Sequence, residues 1–160
     1  MSAILMATDG SPSAQKATEK AIELAKATGW RLHFVTSWSL SVGHGYGPMT
    51  HVPFTGDLER ELGRDALEAA VASASAAGVE ATSELRCGTS VEEICAAAER
   101  IGAEVIVIGA HGWDAVRRFV FGSVSTGVMH HASCPVLVVR GGAAPTEDAE
   151  SEKPLEVVLQ

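Results

Sequence analysis

The sequence predicts an α/β domain built on a five-stranded parallel sheet, strand order 3-2-1-4-5, with helices on both faces. Three observations carry this. Five short apolar runs are separated by four stretches of helical periodicity, the β-α-β-α-β-α-β-α-β order of a parallel sheet. Two of the runs, residues 3–7 and 105–108, are continuously apolar, as strands covered on both faces are. A third, residues 79–85, alternates apolar and polar and suits an edge. Right-handed crossovers then leave few topologies, and this order puts the apolar first and fourth strands at the centre.

The elements follow in turn. After the first strand come Thr8, Asp9, Gly10, Ser11 and Pro12, a turn leading into a helix with Ser11 as N-cap and Pro12 at its first position. Ala14, Ala17, Thr18, Ala21, Leu24 and Ala25 recur at helical spacing, and Gly29 ends the helix. Residues 32–35 read as the second strand. Residues 39–57 form a loop containing Gly, Pro, His44 and His51, of a length typical of functional or mobile segments. The next helix sets Leu67, Ala70, Val71 and Ala74 on one face and stops at Gly78. Beyond the edge strand, Ser90 and Glu93 have the spacing of a capping box, opening a helix that carries Ile94, Ala97, Ala98 and Ile101 and closes at Gly102. The fourth strand runs into "GAHGWDAVRRFVFGSVS", residues 109–125. Residues 123–132 form a short helix and residues 135–139 the last strand.

Composition limits the function classes. A chain of 160 residues, 46% apolar, holds one domain with a sizeable core, residues 1–140. Residues 141–160 are rich in Gly, Ala, Pro and acids and read as a disordered tail. That tail has five acidic residues and one lysine, half of the chain's net charge of −8. Such a balance argues against binding a nucleic-acid backbone. No apolar run is long enough to span a bilayer. "MSAILMATDGS" lacks the basic segment of a signal peptide and reads as a mature start. Three cysteines without framework spacing point to a reducing, cytoplasmic setting.

In sheets of this order, ligands sit beyond the carboxyl ends of the strands where the order reverses, here between strands 1 and 4. Those ends are Ala7-Thr8-Asp9-Gly10 and Gly109-Ala110-His111-Gly112. Glycines let a ligand approach the backbone closely, and a helix N-terminus offers free N–H groups and partial positive charge to an anion. Gly122, Ser123, Val124 and Ser125 supply such amides and two hydroxyls, with Gly109 and Gly112 flanking a ribose or phosphate from the other side. Asp9 is placed to accept from a ribose hydroxyl or an adenine amino group. The alternative is that these glycines only shape a turn and an ordinary helix start.

Other motifs fit less well. No Gly-x-x-x-x-Gly-Lys-Ser/Thr or Gly-x-Ser-x-Gly pattern is present, which weighs against P-loop NTPases and acyl-transfer hydrolases. A triad of Asp9, His111 and Ser123 needs confirming geometry. A response regulator needs an aspartate where the third strand ends, and Arg86-Cys87-Gly88 stands there. A flavodoxin-like phosphate loop would have to be "TDGSPSA", a weak fit. His130, His131 and Cys134 suit a helix C-terminus better than a zinc site. Arg117 and Arg118 either reach a phosphate or stay solvated.

Asp9 after the first strand, and "GAHGWDAVRRFVFGSVS" followed by "HASCPVLVVR", resemble the universal stress protein family over roughly residues 1–140. Its ATP-binding branch carries Gly, two residues, Gly, nine residues, then Gly and Ser or Thr; Gly109, Gly112, Gly122 and Ser123 match. The resemblance implies a Rossmann-like sheet of the adenine nucleotide alpha hydrolase type. It implies binding of ATP, ADP or AMP, often with a divalent metal such as magnesium or manganese, in a cytoplasmic stress-response or signalling module. It places Ala7, Thr8 and Asp9 at adenine and ribose, and Val35 at adenine through its backbone. It places Gly109, His111 and Gly112 beside ribose and phosphates, and Gly122, Ser123, Val124 and Ser125 at the phosphates. It also implies a homodimer paired through Val136, Leu137, Val138 and Val139, an apolar edge that needs cover in any case. Trp113 departs from the pattern, where a small polar or basic residue is usual. A slow ATPase ranks lower, since Asp9 and His111 are the only candidate bases and each has a binding role. A nucleotide-independent interaction protein is the third reading.

Overall fold

The computed structural model describes residues 2–39, 56–111 and 121–140. Its elements are β1 (Ala3–Ala7), α1 (Pro12–Thr28), β2 (Arg31–Trp38), α2 (Asp57–Ala76), β3 (Ala81–Cys87), α3 (Ser90–Ile101), β4 (Ala103–Gly109), α4 (Ser123–His131) and β5 (Val136–Val139). The sheet has the expected order, β3-β2-β1-β4-β5, and all four pairings are parallel. Most of the 39–57 loop with His44 and His51, the stretch with Gly112, Trp113, Arg117 and Arg118, and the 141–160 tail lie outside the described residues.

Strand side chains alternate between two cores. Ile4, Met6, Leu32, Phe34 and Val107 pack on α1 and α2, against Ala17, Ala21, Leu67 and Ala70. Leu5, Ala7, Val35, Ile106 and Ile108 pack on α3 and α4, against Ile94, Ala97 and Val128. With both faces covered, every residue of β1 is buried, which explains its unbroken apolar run. Alanines on α1 and α3 bring the helices close to the sheet.

Local chemistry sets the ends of each element. Ser11 caps α1 by accepting from Ala14 N at 3.3 Å, Pro12 follows it, and Gly29 closes the helix at φ 72°. The third strand starts two residues later than its alternation predicts. Val79 is used to end α2: its N–H donates to Ala74 O at 2.9 Å while Gly78, at φ 74°, donates to Ser75 O. This is the Schellman arrangement, and it takes Val79 out of the sheet. β2 in turn runs past its apolar stretch, because Thr36, Ser37 and Trp38 pair with Leu85, Arg86 and Cys87.

The capping box expected at Ser90 and Glu93 does not form. Thr89 takes the N-cap position, and no side chain caps the helix. Glu93 instead binds Arg86 Nε, and the Ser90 hydroxyl accepts from Ser37 Oγ at 2.8 Å. Glu84 gathers His33, Arg86 and Arg100, and the whole group ties α3 to the polar edge of the sheet. Among the described residues no group of three or more His, Cys, Asp or Glu is placed to hold a metal, and no helix is long and apolar enough to cross a membrane. His131 does not join Cys134 in a metal cluster; its Nδ1 lies 2.8 Å from Gly127 O at the end of α4.

The three cysteines are free. Burial pushes the Cys95 and Cys134 thiols above the usual range, whereas Cys87 is exposed. A raised pKa leaves less thiolate at a given pH, and the thiolate is the nucleophile. Iodoacetamide at pH 8 should therefore alkylate Cys87 first. Peptide mass spectrometry over time checks the order, and equal rates at all three would contradict it.

Candidate functional site

A cleft of about 510 Å³ opens beyond the carboxyl ends of β1, β2 and β4. Ala7, Thr8, Asp9, Val35, Gly109, His111, Gly122, Ser123, Val124 and Ser125 all border it, while Gly112 is outside the described residues. The cleft therefore gathers every described residue that the motif reading singled out. It also recruits Ala14, Thr36, Ser37, Ser90, Ile94 and Ile108, which that reading passed over.

The β1 end is a tight turn. Asp9 accepts from Ser11 N at 2.9 Å, and Thr8 Oγ1 accepts from Gly10 N at 3.2 Å. Gly10 sits at φ 75°, the left-handed region that favours glycine. These bonds hold the exposed Asp9 carboxylate at the rim of the cleft. Beside it, Thr8 N donates to Val35 O at 3.0 Å, so one lone pair of the Val35 carbonyl already belongs to the sheet.

The β4 end is organised around one atom. Ala110 O accepts from Gly122 N at 2.7 Å and from Ser125 Oγ at 3.0 Å. Gly122 thus lies beside Ala110, and α4 begins at the head of β4. Two details of the motif reading change. The Gly122 N–H is consumed by Ala110 and is not among the anion-binding amides. The Ser125 hydroxyl, buried and shared between Ala110 O and Gly122 O, is structural. The amides left for a ligand are those of Ser123, Val124 and Ser125, the first three of a helix with no side-chain cap. Thr126 N is the first to find an intrahelical partner, Gly122 O.

The two described glycines of the motif differ in their reason. A Cβ on Gly109 would lie 2.8–3.0 Å from Ser13 Oγ, Ser13 C and Ala14 N, so this glycine lets α1 approach β4 rather than a ligand approach the backbone. At Gly122, φ is −62° and the nearest described atom to a Cβ is 3.4 Å away. No described neighbour demands a glycine there. Gly122 borders the cleft.

Electrostatically the wall is simple. Among the described residues it carries one carboxylate, Asp9, one imidazole, His111, and no Lys or Arg. The positive end of α4 therefore supplies the cleft's described attraction for an anion.

The profile of the Universal stress protein family matches residues 1–140. The chain belongs to the universal stress protein family. Its relatives include a universal stress protein of Methanocaldococcus jannaschii, 31% identical, covering 86% of this chain and 81% of that protein. A Burkholderia pseudomallei family member of known structure is 35% identical, with a TM-score of 0.66 over 86% of this chain and 95% of that one. The universal stress protein of Archaeoglobus fulgidus solved in complex with dAMP is 25% identical, with a TM-score of 0.63 over 87% of this chain and 97% of its own.

Of the residues missed, Ser37 left a trace: two polar residues follow the apolar run of β2 at a strand's carboxyl end. Ala110 left none, because its role belongs to a backbone carbonyl.

Substitutions separate these roles. Gly109→Ala should lower stability by about 1–3 kcal/mol, since backbone atoms of α1 must give way. Ser125→Ala should cost about 1 kcal/mol, the typical net value of a buried hydrogen bond. Ser123→Ala and Gly122→Ala should stay within about 0.5 kcal/mol of the parent. Urea unfolding of the four variants measures the order; a Gly122→Ala loss as large as that of Gly109→Ala would contradict it.

Proposed function

We propose that this cleft binds an adenine nucleotide, ATP, ADP or AMP, and that the protein is a nucleotide-responsive module of the cellular stress response. The observation that carries the reading is the order of groups across three strand ends and one helix start. Val35, Thr36 and Ser37 stand at β2, Asp9 at β1, and Gly109 with the α4 amides at β4. β2 and β4 are two strand spacings apart, about 10 Å, a span suited to a base at one end and a phosphate at the other. The dAMP complex of the Archaeoglobus fulgidus relative supports the same ligand class.

Each group has a defined task in this reading. Ser123, Val124 and Ser125 donate backbone N–H bonds to phosphate oxygens, aided by the α4 dipole. Asp9 accepts from a ribose hydroxyl, and the Asx turn through Ser11 keeps it aimed. Ala7, Val35 and Ile108 give the base and sugar an apolar floor. The described residues form no metal cage, so a magnesium ion would be held chiefly by the phosphates, as this ion usually is.

Calorimetric titration with AMP, and with ATP plus magnesium, tests the reading. Gly122→Val should keep the fold, because φ and ψ there suit any residue, yet weaken binding at least tenfold, about 1.4 kcal/mol. Asp9→Ala should weaken nucleotide but leave inorganic phosphate unchanged. Wild-type affinity in Gly122→Val would make the glycine scaffold and favour an interaction protein that needs no nucleotide.

The β5 edge supports a homodimer. Pro135 O and Val139 O accept from β4, so by ladder alternation Val136 and Val138 present their backbone groups outward. Leu137 on β5 and Met129 on α4 are 43% and 41% exposed. We propose that two copies pair these edges antiparallel. Val138→Pro removes an outward N–H and no bond to β4, so it should shift the protein to monomer without unfolding it. Sedimentation equilibrium at micromolar concentration reads the change; a monomeric wild type would refute the dimer.

A further inference from the structure

We propose that the Ser37–Ser90 hydroxyl pair reads the base, accepting purines with a 6-amino or a 6-oxo group and rejecting those with a 2-amino group. The inference rests on the nucleotide reading above and goes past it to the specificity of the same cleft. Ser37 ends the polar extension of β2, and Ser90 opens α3, spared from capping by Thr89. Their oxygens are 2.8 Å apart, both side chains are half-buried, and both border the cleft, Ser37 at the carboxyl end of β2. One lone pair of the Val35 carbonyl is taken by Thr8 N, and Ser37 and Ser90 give the cleft a linked pair of hydroxyls with a donor and lone pairs to spare.

The proton count decides what the pair can hold. With Ser37 donating to Ser90, the Ser90 hydrogen is free to donate outward and a Ser37 lone pair is free to accept. An adenine amino group then donates to Ser37, and adenine N1 accepts from Ser90. Hydroxyl rotors turn to suit their partners, so the chain can run in reverse. Ser90 then donates to Ser37, Ser37 donates to a 6-oxo oxygen, and the base N1–H donates to Ser90. A single pair thus serves both 6-substituents. It offers nothing to a third group. One turn along α3 from Ser90 stands Ile94, buried and apolar, also on the cleft wall. A 2-amino group directed there loses its water without gaining an acceptor, the cost of an unpaired buried donor.

The test is calorimetric titration of the full chain with AMP, IMP and GMP, alongside Ser37→Ala and Ser90→Ala and their thermal melts. Wild type should bind AMP and IMP within about threefold of each other and GMP at least tenfold more weakly. Each alanine variant should weaken AMP and IMP alike, about fivefold or more, with the melting temperature little changed. GMP binding wild type as tightly as AMP overturns the proposal without needing any variant to fold. So does an AMP affinity that both substitutions leave unchanged. If wild type binds none of the three, the nucleotide reading itself fails; if it binds AMP but ignores the hydroxyl pair, only this proposal does.

Discussion

The carbonyl of Ala110 holds the site together. It receives the Gly122 N–H and the Ser125 hydroxyl, while the Ala110 N–H reaches across to Val139 O. One residue therefore joins the head of β4, the start of α4 and the end of β5. Without that junction, the first turn of α4 would have no fixed relation to Asp9 or to β2. Packing reinforces it from below. Val128 is buried, and a Cβ on Gly127 would fall 2.6 Å from Val91 Cγ2, so α4 lies directly on α3. The helix cannot slide without breaking either the carbonyl bonds or this contact.

That geometry answers an electrostatic question. The chain carries a formal charge of −8, and the described cleft wall has no Lys or Arg. An anion is repelled at long range by such a protein, so its attraction must be local. Oriented backbone amides at a helix start provide this, and they need no reorganisation when a ligand arrives. Polar side chains elsewhere in the cleft are largely committed. Asp9 and Thr8 hold the β1 turn, and Ser125 holds the junction. The fold has used its own hydrogen bonds to aim the few groups that remain.

Much of this was legible in the residues. The alternation of elements, the two-sided burial of β1, the strand order and the Ser11 cap each follow from local rules that act within a few positions. The switch-point position of Gly109, His111 and the start of α4 followed from topology. What escaped has a common character. Glu93 sits where a capping box wants it, but Arg86, seven residues earlier on a neighbouring strand, competes for its carboxylate and wins. Val79 alternates with its neighbours as a strand residue would, yet its N–H closes α2. Gly109 sits in a ligand motif, yet its missing side chain makes room for α1. In all three, a partner distant in sequence or a backbone bond decided the outcome, and neither is written in the spacing of side chains.

The central claim is that the first amides of α4 receive a phosphate while the base reaches the β2 end of the same cleft. Proton–nitrogen correlation spectra of uniformly labelled protein, recorded during titration with AMP, test it residue by residue. The largest amide shifts are expected at Ser123, Val124 and Ser125, with a second group at Thr8, Gly10 and Ser37. The claim would be contradicted if AMP bound and left the three α4 amides unmoved.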